Sequence, residues 1–307
     1  MTTLAVESKG RIWGVAVRAY AYPASIVPVI VGSAYAWLAT GTFNWAYFVL
    51  ALVAGMLFHT ACNLINDYYD YKHGLDHAGA YGGSGVLVSK ALSPREVIVG
   101  AYLMLMLGSF IGLYFVYVFG WPMLYIGVAG LLGSIFYTTT PLSAKYVALG
   151  SPLVFIMMGP LMVLGGYLVQ TGTLSWNAVW ISLPVGFIVA AILHANDTRD
   201  IVHDRHAGIR TIATILGVTG TRVYLSFLLF APYLTVIALW YFGVAPWTVL
   251  LPILTLPLAL GAHSLHWKIR AVEHEALRDT PAMVAKLHLA FGLLLTIGLV
   301  AGRWLVN

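Results

Sequence analysis

Charged side chains are scarce in this chain. Asp, Glu, Lys and Arg together make up 9% of its 307 residues, whereas hydrophobic residues make up 60%. Because soluble globular domains carry about 25% charged residues, this composition excludes that class and predicts an integral membrane protein in contact with lipid. The sequence pI of about 9.2 does not indicate a nucleic-acid partner, since basic residues of membrane proteins mainly report orientation.

Cysteine is almost absent, and no targeting segment is visible. Cys62 is the single cysteine, which excludes an internal disulfide. The first 18 residues contain Lys9, Arg11 and Arg18 but no short apolar segment followed by a small-residue cleavage site. We therefore expect no secretory signal peptide.

Long apolar runs, by contrast, are abundant in this chain. Segments of roughly 20 such residues are read as membrane-spanning helices, and the chain contains nine, at about 20–39, 45–65, 97–118, 122–139, 151–170, 177–195, 223–242, 248–265 and 284–304. They predict an all-α fold, a polytopic membrane helix bundle of nine transmembrane helices in a single domain covering 1–307.

The charged residues lie on one side of this predicted bundle. Connections 40–46, 119–122, 171–177 and 243–247 contain no Asp, Glu, Lys or Arg, and Arg303 is the one basic residue of 16 on their side. The positive-inside tendency makes the charged side cytoplasmic. We expect a multi-pass protein of the plasma membrane with its N-terminus inside and its C-terminus outside.

Two acidic motifs repeat at an interval of 130 residues on the charged side. The first contains Asn66, Asp67, Asp70 and His73, and the second contains Asn196, Asp197, Asp200 and His203. Each motif falls where a predicted helix, the second or the sixth, reaches the charged side. This match predicts a parallel four-helix pseudo-repeat, with the ninth helix outside it.

The second motif carries a third carboxylate, Asp204. On one helix, Asp197, Asp200 and Asp204 would share a face about one turn apart, with roughly 5–6 Å between neighbouring Cβ atoms. The first motif has Gly74 at the equivalent position, so either Asp76 substitutes for the third carboxylate or the glycine ends the helix.

Carboxylate clusters of this kind suit Mg²⁺, which prefers oxygen ligands and is commonly held by carboxylates together with substrate phosphates. Two clusters that face each other predict two Mg²⁺ ions holding a diphosphate. An apolar cavity between proline-kinked helices would take the hydrocarbon tail of a lipid diphosphate. The candidate kinks are at Pro23, Pro28, Pro160, Pro184, Pro252 and Pro257.

Basic residues beside the acids could complete the diphosphate site. The candidates are Lys72, Lys145, Arg199, Arg205 and Arg210, and each could equally be an orientation anchor.

Gly82, Gly83 and Gly85 could bring backbone N–H groups to a phosphate. His59 and His194 lie within apolar helices and are interpreted as helix-packing residues, so the sequence identifies no general base.

The two motifs support a family resemblance. NDYYD at 66–70 with NDTRDIVHD at 196–204 resembles the paired aspartate motifs of the UbiA superfamily of intramembrane prenyltransferases. Three stretches resemble the MenA branch, the 1,4-dihydroxy-2-naphthoate polyprenyltransferases of menaquinone synthesis: GGSGVL to SPRE at 82–96, YTTTPLSAKYVALG at 137–150 and VFIMMGPLMVLGGYLVQTG at 154–172. Ser151 and Gly85 depart from the branch pattern, which commonly has an acidic and a basic residue there.

The resemblance implies Mg²⁺-dependent transfer of a polyprenyl group from its diphosphate to an aromatic acceptor, which in MenA loses its carboxylate. Asp67 and Asp70 would ligand one Mg²⁺, and Asp197, Asp200 and Asp204 the other. The other implied site residues are Lys72, Lys145, Arg199, Arg205 and Arg210 for the diphosphate, Asn63 and Tyr137 beside the reacting carbon, and Asn66 and Asn196 among the substrate-binding groups.

Other functions remain open at this point. A UbiA-superfamily enzyme with another acceptor, such as a different quinone precursor, a tetrapyrrole or a glycerol-phosphate lipid, would have the same aspartates. A membrane cation transporter could also place paired acids in a helix bundle, although it would be expected to carry some at mid-membrane. A CDP-alcohol phosphotransferase would show a longer D-G-x-x-A-R signature, which is absent.

Overall fold

The computed structural model describes residues 8–76, 82–268 and 275–305. Over those ranges the fold is helical without β-strands, and a single isolated bridge joins Val147 to Arg210. The α-helices are α1 Lys9–Ala16, α2 Pro23–Thr40, α3 Trp45–Lys72, α4 Pro94–Phe119, α5 Trp121–Phe136, α6 Gly150–Ile156, α7 Met162–Thr171, α8 Trp176–Arg199, α9 Ile201–His206, α10 Ile212–Tyr241, α11 Leu256–Lys268 and α12 Thr280–Leu305.

The predicted membrane helices are present. Eight helical segments of the described chain are long and apolar enough to span a membrane, and the shorter apolar α5 matches the remaining predicted one. Two boundaries differ from the prediction: α3 continues to Lys72, and α10 begins at Ile212 under a cap from Thr211. The first acidic motif therefore lies on a helix. The four-helix repeat stays a prediction, supported by the matching motifs on α3 and α8.

Exposed tryptophans mark one boundary of the bundle. Trp45, Trp121 and Trp176 are the first residues of α3, α5 and α8, and Trp304 lies near the end of α12. All lie beside the connections without charge, which we call the charge-free face, and tryptophan concentrates at membrane interfaces. The opposite end, which we call the charged face, contains both acidic motifs.

Helix α8 forms the centre of the bundle. In its most apolar stretch of 18 residues, 67% are buried, whereas the corresponding share for α4 at the periphery is 22%. The largest core cluster joins α8 to α2, α10 and α12 through residues such as Ile181, Ile188, Leu229 and Phe291. A second cluster packs Ile12 and Ala16 of α1 against α3 and α4. The second motif is therefore attached to the most enclosed helix, and α1 is anchored beside the first.

The prolines affect their helices in different ways. Pro160 lies in a π-helical turn, Met157–Leu161, between α6 and α7, and Pro252 lies in the 3₁₀ segment Trp247–Thr255. Pro28 and Pro184 lie inside α2 and α8. Pro23 and Pro257 occupy first turns, where no helical N–H is needed. Irregular backbone thus occurs at two of the six predicted kinks.

Two of the three glycines near Pro160 allow close helix packing. A Cβ added at Gly159 would lie 2.9 Å from Cα of Gly186 on α8, and one at Gly166 would lie 2.7 Å from the carbonyl oxygen of Val29 on α2. Gly165 instead contacts Ile126 at an ordinary distance and lines a cavity.

Candidate active site

The first motif occupies the last turns of α3 at the charged face. Spacing along the helix places Asn63, Asp67 and Asp70 on one face, and both carboxylates are nearly fully buried. The helix ends after Lys72 through Gly74 (φ 73°), whose N–H donates to the Tyr71 carbonyl while that of Leu75 donates to the Asp70 carbonyl. Gly74 therefore terminates the helix.

Asp76 follows this turn and lies near the motif. Burial, then the nearby carboxylates of Asp70 and Asp67, raise the pKa of Asp76 to about 6. It is therefore part of the same negative cluster, although it lies outside the helix that carries the first two carboxylates.

Asp70 is held by three donors. Lys145 Nζ lies 2.5 Å from Oδ2, the Tyr146 hydroxyl donates to Oδ1 at 2.6 Å, and Asn66 Nδ2 donates to Oδ2 at 2.9 Å. Lys145 also donates to the side-chain oxygen of Asn66 at 3.0 Å. Burial alone would lower the pKa of Lys145, but the Asp70 charge raises it. Lys145 is therefore a cation throughout the physiological range.

Asp67 is held from two other parts of the chain. Arg18, between α1 and α2, donates from Nη2 to Oδ1, and the backbone N–H of Ser84 donates to Oδ2 at 3.2 Å. Ser84 lies between Gly83 and Gly85, in the loop whose backbone N–H groups could reach a phosphate. One N–H group of that loop thus donates to a carboxylate. The cluster around Ile12 and Ala16 positions the segment that carries Arg18.

The second motif crosses a bend. Helix α8 ends at Arg199, Asp200 has φ −93° and ψ 4°, and α9 follows. The prediction that Asp197, Asp200 and Asp204 lie on one continuous helix is therefore wrong. The N–H of Asp204 still donates to the Asp200 carbonyl at 2.9 Å, so the spacing remains nearly helical. Arg199 donates two hydrogen bonds to Asp200, at 2.8 and 2.7 Å.

The two motifs meet at Lys145. A small polar pocket is lined by Tyr137, Lys145 and Asp197, so the lysine that binds Asp70 also faces the second motif. Burial and then the Asp200 charge raise the pKa of Asp204 to about 7, with a smaller contribution from Asp70 across the site. Carboxylates of both motifs therefore act on one another within this centre, an arrangement that suits a bound cation.

Four of the predicted site residues make their observed contacts with groups outside this centre. Lys72 is exposed and its ammonium lies 5.9 Å from the Tyr69 ring centroid. Arg205 is exposed with Nη2 3.5 Å from the Thr214 carbonyl, and the exposed Arg210 pairs through its backbone with Tyr146. Asn196 donates to the Ile192 carbonyl at 3.2 Å, unlike Asn66. The three basic side chains are exposed at helix ends and in a loop, whereas Asn196 is half-buried and bonds back to its own helix. Spacing along the sequence does not reveal either arrangement.

The residues fit Mg²⁺ together with a phosphate-bearing substrate. Across the described ranges, no three His, Cys, Asp or Glu side chains form a ready metal cage. Mg²⁺ is usually bound by one or two carboxylates plus substrate phosphates and waters, which the separated pairs can supply. Asn63 Nδ2, Ser84 Oγ and Arg18 Nε are buried without a hydrogen-bond partner in the described structure. Buried polar atoms normally have a hydrogen-bond partner, so these atoms near Asp67 are available to hydrogen-bond to a bound ligand.

An apolar cavity of about 180 Å³ lies beneath the motifs. Its charged-face end includes His59, Cys62 and Tyr137, and its far end includes Met123 and Val169. Met123 and Tyr137 are 14 positions apart on or just after α5, roughly 21 Å at 1.5 Å per residue. The cavity therefore extends along much of the bundle, with apolar walls that suit a hydrocarbon chain.

Sequence reasoning missed three groups at this centre. The sequence marks Arg18 only as a charge before the first span and Tyr146 only as one residue of the stretch 137–150. Ser84 contributes a backbone N–H, which any residue except proline has. The one available signal was the deficit of cations for two buried carboxylates, since buried charges require partners.

Comparison with known proteins agrees with this geometry. Residues 25–290 match the model of the UbiA prenyltransferase family. "UbiA prenyltransferase domain-containing protein 1" of Danio rerio is 34% identical over 97% of this chain and 86% of the relative. The human protein of that name is also 34% identical, over 93% and 82%. This name gives the family and no acceptor. It therefore does not assign the chain to the MenA branch.

Solved structures share the fold. A UbiA homologue from Aeropyrum pernix K1 has a TM-score of 0.69 at 19% identity, covering 90% of this chain and 97% of its own. A homologue from Archaeoglobus fulgidus, bound to GPP and Mg²⁺, has a TM-score of 0.65 at 16% identity, covering 94% and 99%. With the family match over most of its length and both aspartate motifs at one centre, this chain belongs to the UbiA prenyltransferase family.

Proposed function

We propose that this protein transfers a polyprenyl group from a polyprenyl diphosphate to an aromatic acceptor, 1,4-dihydroxy-2-naphthoate, with loss of the acceptor's carboxylate. The observation that carries the proposal is the meeting of two carboxylate motifs at Lys145 above an apolar cavity. The diphosphate would lie at the charged face, on the cytoplasmic side of the plasma membrane, with its tail in the cavity.

The charged residues have complementary tasks. Asp67 and Asp70 would hold one Mg²⁺, and Asp197, Asp200 and Asp204 a second. Bound Mg²⁺ would neutralise negative charge on the departing diphosphate. Lys145, Arg18 and Arg199 already contact the carboxylates and would supply further positive charge to the same leaving group. Asn63, with its unpartnered amide nitrogen, would orient the substrate.

The cavity would protect the reacting carbon. Its wall is apolar apart from a few groups at the charged-face end, so an allylic cation formed there would meet little water. The ring of Tyr137 borders both the cavity and the polar pocket, where an aromatic face stabilises a nearby cation. The acceptor would then attack the allylic carbon.

The acceptor assignment rests on the MenA-like stretches at 82–96, 137–150 and 154–172. The structure described above supports it to the extent that residues of all three lie at the site: Ser84 on Asp67, Lys145 and Tyr146 on Asp70, and Met157 on the cavity wall. Ser151, which departs from the branch pattern, is buried in the small pocket with Asp197.

A product assay tests the proposal. Purified protein in lipid would receive Mg²⁺, a polyprenyl diphosphate and 1,4-dihydroxy-2-naphthoate, and products would be identified by mass spectrometry. We expect a decarboxylated prenyl naphthoquinol, and its loss in both Asp67→Asn and Asp197→Asn. Product from another aromatic acceptor alone would overturn the naphthoate assignment. Absence of Mg²⁺-dependent binding of the diphosphate would overturn the prenyl transfer itself.

A further inference from the structure

His59 is a polar side chain on the wall of the apolar cavity, where packing alone does not require one. It lies on α3 on the same helical face as Asn63 and Asp67, with Cys62 and Tyr137 also at this end of the cavity. This position differs from that of His194, which is fully buried in α8 with Nε2 3.2 Å from the Thr221 carbonyl. The packing interpretation made from sequence therefore fits His194 and does not account for His59.

The ring of His59 contacts Ser25. Its Nδ1 lies 3.0 Å from Ser25 Oγ, which also lies 3.1 Å from the Tyr22 carbonyl oxygen. When the Ser25 hydroxyl donates its single proton to that carbonyl, it can only accept from His59, and the proton of a neutral imidazole is then on Nδ1. Nε2 consequently has a lone pair and is the ring nitrogen available to the cavity.

The spacing along α3 suits a contact with the acceptor. His59 and Asp67 are eight positions apart, roughly 12 Å along the helix. That gap leaves room for a diphosphate below Asp67, for two reacting carbons about 3–3.5 Å apart and for a hydrogen bond of about 2.6–3.2 Å to a base. The acceptor hydroxyl would then be at the level of His59.

We propose that His59 Nε2 is the general base for the acceptor hydroxyl, and that Ser25 is a positioning residue that holds the reactive tautomer. This inference rests on the proposed function. Nε2 takes the hydroxyl proton, and the O–H electron pair shifts into the ring as the ring carbon bonds to the allylic carbon. The bond from that carbon to the diphosphate oxygen breaks, and its electron pair leaves with diphosphate. The bond from the same ring carbon to its carboxylate then breaks, and CO₂ leaves. The electron pair of that bond restores aromaticity and returns negative charge to the oxygen, which takes the proton back from His59.

The test compares His59→Gln with His194→Gln, a matched histidine on α8 that does not line the cavity. In His59→Gln we expect kcat to fall about 10²- to 10⁴-fold, the usual contribution of general base catalysis. Mg²⁺-dependent binding of the diphosphate, measured directly, should be unchanged, which also shows that the variant folds. In Ser25→Ala we expect a smaller fall, because the imidazole keeps Nε2 but loses its fixed tautomer.

An acceptor series separates catalysis from packing. Acceptors whose hydroxyl is acidic enough to be ionised before binding need no base, so they should recover most of the rate lost in His59→Gln. A loss that is equal for ionised and neutral acceptors, or no loss at all, would overturn the role of His59 and leave the prenyl transfer intact. A wild-type protein that transfers no prenyl group to any aromatic acceptor would instead overturn the proposed function, and this inference with it.

Discussion

At the residue scale, the most informative contact is between Lys145 and Asp70, because this lysine binds the first motif and also lines a pocket with Asp197 of the second. Replacement by Met keeps much of the side-chain length and removes the charge. Asp70 would keep its hydrogen bonds from Tyr146 and Asn66, so the fold should survive. Removal of the lysine charge should weaken the electrostatic stabilisation of the leaving diphosphate.

We therefore expect Lys145→Met to lower kcat/KM about 10²- to 10³-fold, as removal of one donor to a developing negative charge does elsewhere. Lys72→Met is the matched control, because Lys72 lies beside the Tyr69 ring at the exposed end of α3. Steady-state kinetics of both variants would decide the matter. Equal losses in the two would mean that net positive charge, and not the Asp70 contact, matters.

At the element scale, the feature with the clearest effect is the glycine-lined face of α5. Gly127 lines the cavity and has no atom within 4 Å of a Cβ built on it. It lies ten positions from Tyr137, roughly 15 Å along the helix. A short prenyl tail whose diphosphate is at the charged face would not reach it, whereas a long tail would.

Gly127→Leu should therefore discriminate by donor length. We expect KM for a long polyprenyl diphosphate to rise about tenfold or more, since forcing extra groups into a filled space costs about 1–3 kcal/mol. KM for dimethylallyl diphosphate should stay the same. Val128→Leu, on the exposed side of the same helix, controls for the added bulk. Equal effects on both donors would place the tail outside this cavity.

At the scale of the whole molecule, orientation in the membrane follows from the two faces. Cys62 is the one cysteine, so Cys62→Ala gives an unreactive background. Ser89 is exposed on the charged face and Thr173 on the charge-free face. In intact cells, a membrane-impermeant maleimide should label Thr173→Cys directly and Ser89→Cys only after permeabilisation. The reverse pattern would put the charged face outside.

Much of this molecule could be predicted from its sequence, because membrane helices and motif spacing are local signals. The nine segments, both motifs and their common side needed only hydropathy, charge and an interval of 130 residues. The contacts of the site did not follow, because they join distant positions: Arg18 meets Asp67 across 49 residues and Tyr146 meets Asp70 across 76. Likewise, no local signal shows that His59 faces a cavity while His194 faces a neighbouring helix.

The shortness of the connections on the charge-free face also determines how the protein could be imaged. A chain of 33.3 kDa with such short connections on this face offers few features outside a detergent micelle for the alignment of images in electron cryomicroscopy. Only Gly120 separates α4 from α5, so a helical fusion partner joined to both helices there would have almost no freedom to rotate. Because the aspartates are at the opposite end, such a fusion partner would lie away from the candidate active site.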